Sequence, residues 1–214
     1  MICIYYTELK EEYNNDVLEK ALQEMPQNIV NEIKQYKFEQ QQWHTFLGKK
    51  LLEFALQQNN IAYTLSDIKY HKKEKPYLAE DIDFNISHSG DYVILALVQN
   101  NNIGIDIEKH RNIDNTLFKK YFNDVEWQRI QEASNPNSVF FDYWAIKESA
   151  IKCDGRGVEI LGKTNIYDES SLLCDEQKMY YQLLKIDEQY SASVCTTHQD
   201  EILNIKKIEL SILL

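Results

Sequence analysis

Two helical stretches, each accompanied by strand-like segments, follow one another in this chain of 214 residues, and that double layout restricts it to a mixed fold. Between residues 16 and 58 apolar side chains recur at helical spacing. Ile33, Tyr36 and Phe38 lead into Trp43, Phe46, Leu47, Leu51, Phe54 and Ala55, and steps of three and four make a core-facing stripe. Pro26 has no backbone N–H, so it divides this stretch into two helices or more. The second stretch covers 114–132 and 138–153. It is broken at Asn135-Pro136-Asn137 and ended by Gly155 and Gly157, as C-terminal glycines end helices. Strands are predicted at 2–6, 82–86, 92–98, 103–108, 164–167, 178–186, 190–196 and 206–212, where β-branched and aromatic residues gather. An extended segment is expected at 61–70. A loop follows from Lys72 to Pro76, because proline biases the preceding residue away from helix. The polar turn Gln99-Asn100-Asn101-Asn102 separates two strands that read as a hairpin. It is the natural seam between halves 1–102 and 103–214. The fold class expected is α+β.

A hydrophobic fraction of 43% with 12% aromatics is enough to bury a core and excludes a disordered chain. The formal net charge of -11 argues against non-specific binding to nucleic acid or to an anionic membrane. A small anionic ligand is still admissible, because it meets the local field and not the total. No apolar run approaches the roughly 20 residues of a membrane helix. The start MICIYYTELKEEY lacks a basic region followed by an apolar core, so no signal peptide is expected. Cys3, Cys153, Cys174 and Cys195 are scattered without a CxxC pair, which speaks against zinc and for free thiols in a reducing cytoplasm.

Four places could carry chemistry. In Ile105-Asp106-Ile107-Glu108 the two carboxylates share one strand face while the isoleucines enter the core. Such a pair is stable if solvated or if a cation lies between them. In Trp144-Ala-Ile-Lys-Glu-Ser-Ala-Ile-Lys152, Glu148 and Lys152 stand four apart on one helix face, which also suits an ordinary surface ion pair. Trp144 and Ile151 fall on the apolar side with Phe140. Phe84-Asn-Ile-Ser-His-Ser-Gly90 sets Ser87 and His88 at a strand end. The nucleophile elbow of serine hydrolases is absent and the two side chains point to opposite faces, so phosphate contact or a plain hydrogen-bonded turn fits better. The cluster Lys69, His71, Lys72, Lys73 and Lys75 suits a phosphate or a solvated loop.

Jointly, the blocks KPYL, FNISHSGDYVILAL, IGIDIE and WAIKESAIK, in this order, resemble the Sfp-type 4′-phosphopantetheinyl transferases, strongly over residues 75–157. The resemblance implies two pseudo-symmetric α/β halves in one chain with the active site between them. It implies transfer of 4′-phosphopantetheine from coenzyme A to a serine of an apo acyl carrier protein, or of a peptidyl or aryl carrier domain, with release of adenosine 3′,5′-bisphosphate. Asp106, Glu108 and Glu148 would hold Mg²⁺, Glu148 would take the serine proton, and Lys152 would meet the pyrophosphate. Lys147, next to Glu148, points off that face. His44, Lys73, Lys75, Pro76, Ser87 and His88 would be coenzyme A contacts, His88 at the 3′-phosphate. Carrier docking is expected within about 112–185, with Lys119, Lys120 and Arg156 as contacts, and the length fits a monomer. Two positions depart from the pattern: Glu74 stands for a glycine, and His44 for an arginine, and imidazole holds phosphate less firmly than guanidinium. The rival readings are a non-catalytic coenzyme A- or carrier-binding homologue and a Mg²⁺-dependent phosphohydrolase.

Overall fold

The computed structural model describes residues 1–9, 14–70, 75–78, 81–199 and 202–214. His71, Lys72, Lys73 and Glu74 lie outside them, and with them most of the expected basic loop.

The chain opens with strand β1 (Ile2–Glu8), then helices α1 (Asn15–Leu22), α2 (Gln27–Lys34) and α3 (Glu39–Gln58). Pro26 is the residue before the first turn of α2, so the predicted break falls between α1 and α2. Two short strands, β2 (Lys69–Tyr70) and β3 (Pro76–Tyr77), precede β4 (Ile82–Ser89), β5 (Tyr92–Gln99) and β6 (Ile103–Lys109). A 3₁₀ turn at Leu65–Asp67 interrupts the segment expected to be extended, because Thr64 and Asp67 form a reciprocal capping box there.

After β6, which opens the second half, come a 3₁₀ turn (Asn115–Tyr121), α4 (Asp124–Glu132) and α5 (Pro136–Asp154). One helix was expected over 114–132. Asn123 splits it by capping α4, its side chain accepting from the Glu126 N–H while Glu126 accepts from the Asn123 N–H. Gly155, at φ +83°, ends α5. Strands β7 (Thr164–Ile166), β8 (Ser171–Cys174), β9 (Gln177–Leu184), β10 (Tyr190–Thr196) and β11 (Leu203–Lys207) follow, then a last helical turn, α6 (Leu210–Leu213). The strand predicted at 206–212 is thus displaced, since only its first two residues are strand and Ile208 turns into the first core.

The strands form two main sheets, ordered β11-β1-β5-β4 and β6-β10-β9-β8-β7. The hairpin expected between β5 and β6 does not form. Both edges of β5 are already taken, by β1 and β4, so β6 starts the second sheet against β10. Instead β4 and β5 form a hairpin, closed at Gly90 with φ +55°. The C-terminal strand β11 runs parallel to β1 and so belongs to the first sheet.

The layers follow from alternation along β5 and β6. Val93, Leu95 and Leu97 pack with Trp43, Phe46, Leu47 and Leu51 of α3. Ile94, Ala96 and Val98 meet Ile103, Ile105 and Ile107 between the sheets. The opposite face of β6, carrying Gly104, Asp106 and Glu108, looks toward α5, whose apolar residues cover the second sheet.

The open edge of β6 is closed by side chains. The N–H groups of Ile103, Ile105, Ile107 and Lys109 donate to Asp83 Oδ2 (2.8 Å), Asn85 Oδ1 (3.0 Å), Ser87 Oγ (3.4 Å) and Ser89 Oγ (3.0 Å). The alternate polar residues of β4 thus stand in for a neighbouring strand and hold the two sheets in register, which is why buried Asn85 is tolerated. Asn85→Ala leaves the buried Ile105 N–H unpaired and is expected to cost about 1–3 kcal/mol in urea unfolding. A variant as stable as wild type would show that this ladder is dispensable.

Candidate active site

The joint between the sheets is where most of the singled-out residues meet. A cavity of about 390 Å³ is lined by Ser87 and His88 from β4, Asp106 and Glu108 from β6, and Glu148 and Lys152 from α5. Strand alternation aims both β6 carboxylates at α5, and helical periodicity aims Glu148 and Lys152 back.

Gly104 makes this close approach possible. A methyl group there would be driven into the Ser149 carbonyl oxygen and the Cys153 backbone nitrogen, and would lie 3.0 Å from the Cys153 Cα.

Lys152 does not pair with Glu148, as an ordinary helix-surface ion pair would. Its Nζ donates to Asp106 Oδ1 at 2.6 Å and to Ser87 Oγ at 3.1 Å, and Ser87 Oγ donates to Asp106 Oδ1 at 2.9 Å. Asp106 is 4% exposed, and its Oδ2 is buried without a hydrogen-bond partner. Glu108 accepts from Arg111 at 3.1 Å. Burial, then the charge of Asp106, raises the pKa of Glu108. The same two causes in the same order push Glu148 from 4.5 up to about 7. Three carboxylates facing one small cavity, one oxygen orphaned and two held toward the neutral form, make a strong local demand for positive charge.

A divalent cation fits that demand. Mg²⁺ takes hard oxygen ligands and keeps places for water or phosphate oxygen, and Asp106, Glu108 and Glu148 offer only oxygens. Among the described residues no group of three His, Cys, Asp or Glu side chains is already gathered at metal-ligand spacing. Lys152 meets part of the charge demand at Asp106 instead.

Lys75 donates to Asp83 Oδ2 (2.6 Å) and to the Ile103 carbonyl (3.0 Å), so it is tied into the joint between β4 and β6. Together with Pro76, Glu148, Lys152, Gly155 and Val158 it lines a second cavity of about 250 Å³. His44, 5% exposed, interacts through Nε2 with the Gly90 carbonyl at 3.0 Å and stacks on His88 with ring centres 4.4 Å apart. Desolvation lowers the pKa of both rings; the charges of His44 and Lys152 add to the effect on His88, which keeps an exposed edge. Lys73 lies outside the described residues. Lys147 is buried and paired with Glu126 at 2.9 Å, away from the cavity. Arg156 is engaged by Asp154 (2.6 Å) and Asp175 (2.8 Å).

Sequence reasoning missed the cavity's apolar wall. Phe118, Phe140, Phe141 and Trp144 line it beside the carboxylates. Phe140 and Trp144 stack at 5.9 Å, and Phe118 meets Trp144 edge-on at 5.2 Å. Phe140, Trp144, Glu148 and Lys152 stand at four-residue intervals, so one stripe of α5 is apolar at its start and charged at its end. The i, i+4 spacing is the signal for it, and it puts Trp144 on the stripe of Glu148 and Lys152 and not on a separate apolar side.

Comparison with known proteins bears on this geometry. A family model described as the 4′-phosphopantetheinyl transferase superfamily matches residues 102–205. A second, described as 4′-phosphopantetheinyl transferase, N-terminal, matches residues 13–100. The chain is similar to 4′-phosphopantetheinyl transferase gsp of Aneurinibacillus migulanus, 37% identical over 55% of the chain and 51% of that protein. It is 29% identical to 4′-phosphopantetheinyl transferase Sfp of Bacillus subtilis (strain 168), over 73% of the chain and 75% of that protein. It is also 29% identical to L-aminoadipate-semialdehyde dehydrogenase-phosphopantetheinyl transferase of Homo sapiens, over 66% of the chain and 56% of that protein. The matched stretch spans about half the length of the first and third of these relatives and three quarters of the second.

Proposed function

This chain belongs to the 4′-phosphopantetheinyl transferase superfamily, and on that premise we propose that it moves 4′-phosphopantetheine from coenzyme A to a serine of an apo carrier protein. The observation that carries the reading is the meeting of Asp106, Glu108, Glu148 and Lys152 in one cavity between the two sheets.

In the reaction the serine oxygen bonds to the phosphorus that bears the pantetheine arm. The bond from that phosphorus to the bridging pyrophosphate oxygen breaks, and adenosine 3′,5′-bisphosphate leaves with the electron pair. Glu148 receives the serine proton. In the metal-free chain burial and Asp106 push this carboxyl up to about 7, and a cation on the same carboxylate would draw it back down. Lys152 neutralises charge that builds on the leaving oxygen. Asp106, Glu108 and Glu148 would hold Mg²⁺, which supplies Lewis-acid neutralisation of the pyrophosphate. Ser87 steadies Lys152 at 3.1 Å, and the aromatic wall keeps water from competing with the serine.

His44, Ser87, His88, Lys75 and Pro76 are assigned to the coenzyme A side of the cleft, Lys75 by shaping the narrow cavity while braced on Asp83. The carrier would dock beside the aromatic wall, within 112–185. Residues 1–102 would supply most coenzyme A contacts, and residues 103–214 the metal ligands and the carrier surface. Among the described residues no helix is long and apolar enough to cross a membrane. The four cysteines are buried free thiols, which suits the reducing cytoplasm, where the chain is proposed to act as a monomer.

Incubation with Mg²⁺, coenzyme A and apo carriers of several kinds tests this. The carrier is expected to gain the mass of one phosphopantetheine group, and to lose that gain when a chelator removes the metal. Unmodified carriers throughout would sink the reading.

A further inference from the structure

The largest of these cavities, about 810 Å³, opens between α2, α3 and β4 and shares Ile86 and His88 with the carboxylate cavity. Its chemistry suits a purine nucleoside. Asn28, Asn31 and Gln35 bring amide donors and acceptors, and Tyr36 and the stacked imidazoles bring flat faces. The 250 Å³ cavity at Lys75 and Val158 suits a slim, flexible arm instead. On the transferase reading, the adenosine of the donor therefore lies toward α2 and α3.

Among the described residues lining this cavity, no positive charge is left unspent for a phosphate dianion. Among the described residues lining it, Lys49 is the one lysine or arginine. Lys49 is 6% exposed, and its Nζ lies 2.9 Å from Glu32 Oε1, which lines the same cavity. The next cation along α2, Lys34, pairs with Glu19 at 2.8 Å. His44 is committed to the Gly90 carbonyl. Two imidazoles stacked at 4.4 Å resist carrying two positive charges, and burial holds both toward the neutral form. Glu32 therefore neutralises Lys49, and the pair offers a dianion no net positive charge.

We propose that the Glu32–Lys49 ion pair makes this site nearly indifferent to the 3′-phosphate of its donor, so that 3′-dephospho-coenzyme A donates phosphopantetheine nearly as well as coenzyme A. The inference rests on the transferase reading and adds a specificity determinant to it.

The test compares kcat/KM for the two donors with one apo carrier, using the full chain and its Glu32→Gln variant. The wild-type preference for coenzyme A is expected to stay within about tenfold. Glu32→Gln, which leaves Lys49 beside a neutral amide, is expected to raise that preference by about another tenfold, mainly through KM. A general packing defect would alter both donors alike. A wild-type preference of about a hundredfold or more would overturn the proposal, as would a Glu32→Gln effect of equal size on both donors. If a strong wild-type preference collapsed in a Lys72→Ala/Lys73→Ala variant, discrimination would belong to the basic loop and the proposal would fall. Transfer from neither donor would overturn the transferase reading and this inference with it, a result distinct from transfer by coenzyme A alone.

Discussion

Glu148→Gln is expected to abolish transfer and yet to stabilise the metal-free protein above pH 7. The amide keeps the size of the side chain but neither accepts a proton nor carries charge to a cation, so kcat should fall by about 10²- to 10⁴-fold. The stability effect follows from the raised carboxyl. Burial and Asp106 carry its pKa in the folded chain from 4.5 to about 7. Below 4.5 the group is neutral in folded and unfolded chains alike and the substitution changes little. Between 4.5 and about 7 the unfolded chain ionises this carboxyl while the folded chain keeps its proton, so stability is lost over that window, and the loss is complete above about 7. A displacement of that size corresponds to about 3 kcal/mol, and the partial exposure of Glu148 trims the gain from Gln to about 2 kcal/mol. Thermal melts of metal-free wild type and variant at about pH 4 and about pH 8 should nearly coincide at the lower pH and separate at the higher. Added Mg²⁺ should raise the wild-type melting temperature far more than that of the variant. A Glu148→Gln protein with near-normal transfer, or one that gains nothing at pH 8, would remove Glu148 from the site.

Gly104→Ala should cost both stability and activity, although it adds one methyl group. That methyl meets backbone atoms of Ser149 and Cys153, which have no rotamer to escape into. Helix α5 must lift from β6, and Lys152, now 2.6 Å from Asp106, moves with it. Overpacking of this kind costs about 3 kcal/mol or more when backbone has to shift, and a displaced Glu148–Lys152 pair should lower kcat/KM by about a hundredfold or more. Gly162→Ala is the control. Its methyl would stand 3.7 Å from the Lys120 carbonyl oxygen, an ordinary contact, so its effect should stay within about 0.5 kcal/mol. If the two variants unfold at the same denaturant concentration, the glycine of the I-G-I-D-I-E block is not there for helix approach.

Local patterns foretold much of this. The apolar stripe of α3, the break at Pro26, the glycine stop after α5 and the alternation that puts Asp106 beside Glu108 are properties of neighbouring residues. They follow from 3.6- and 2-residue periodicity whatever the rest of the chain does. Periodicity also put Glu148 and Lys152 on one face. The order of the sequence blocks carries the family resemblance without any tertiary contact.

Partnership between distant segments is not a local property. Residues 92–98 and 103–108 look like a hairpin because a polar turn joins them, yet β5 has no free edge left and β6 pairs with β10, about ninety residues on. The polar alternation Asp83, Asn85, Ser87, Ser89 carries no mark of its partner until β6 lies beside it and takes all four side chains as hydrogen-bond acceptors. Likewise the composition shows Lys49 as a cation and Glu32 as an anion, and only packing of α2 against α3 sets them 2.9 Å apart. By itself the sequence determined most of the helices and strands, the shared faces of Asp106 with Glu108 and of Glu148 with Lys152, and the family resemblance. Tertiary structure alone decided which charges are already spent on one another, because the strength of a charge depends on its neighbours and its distance from water, and both are set by the folded chain.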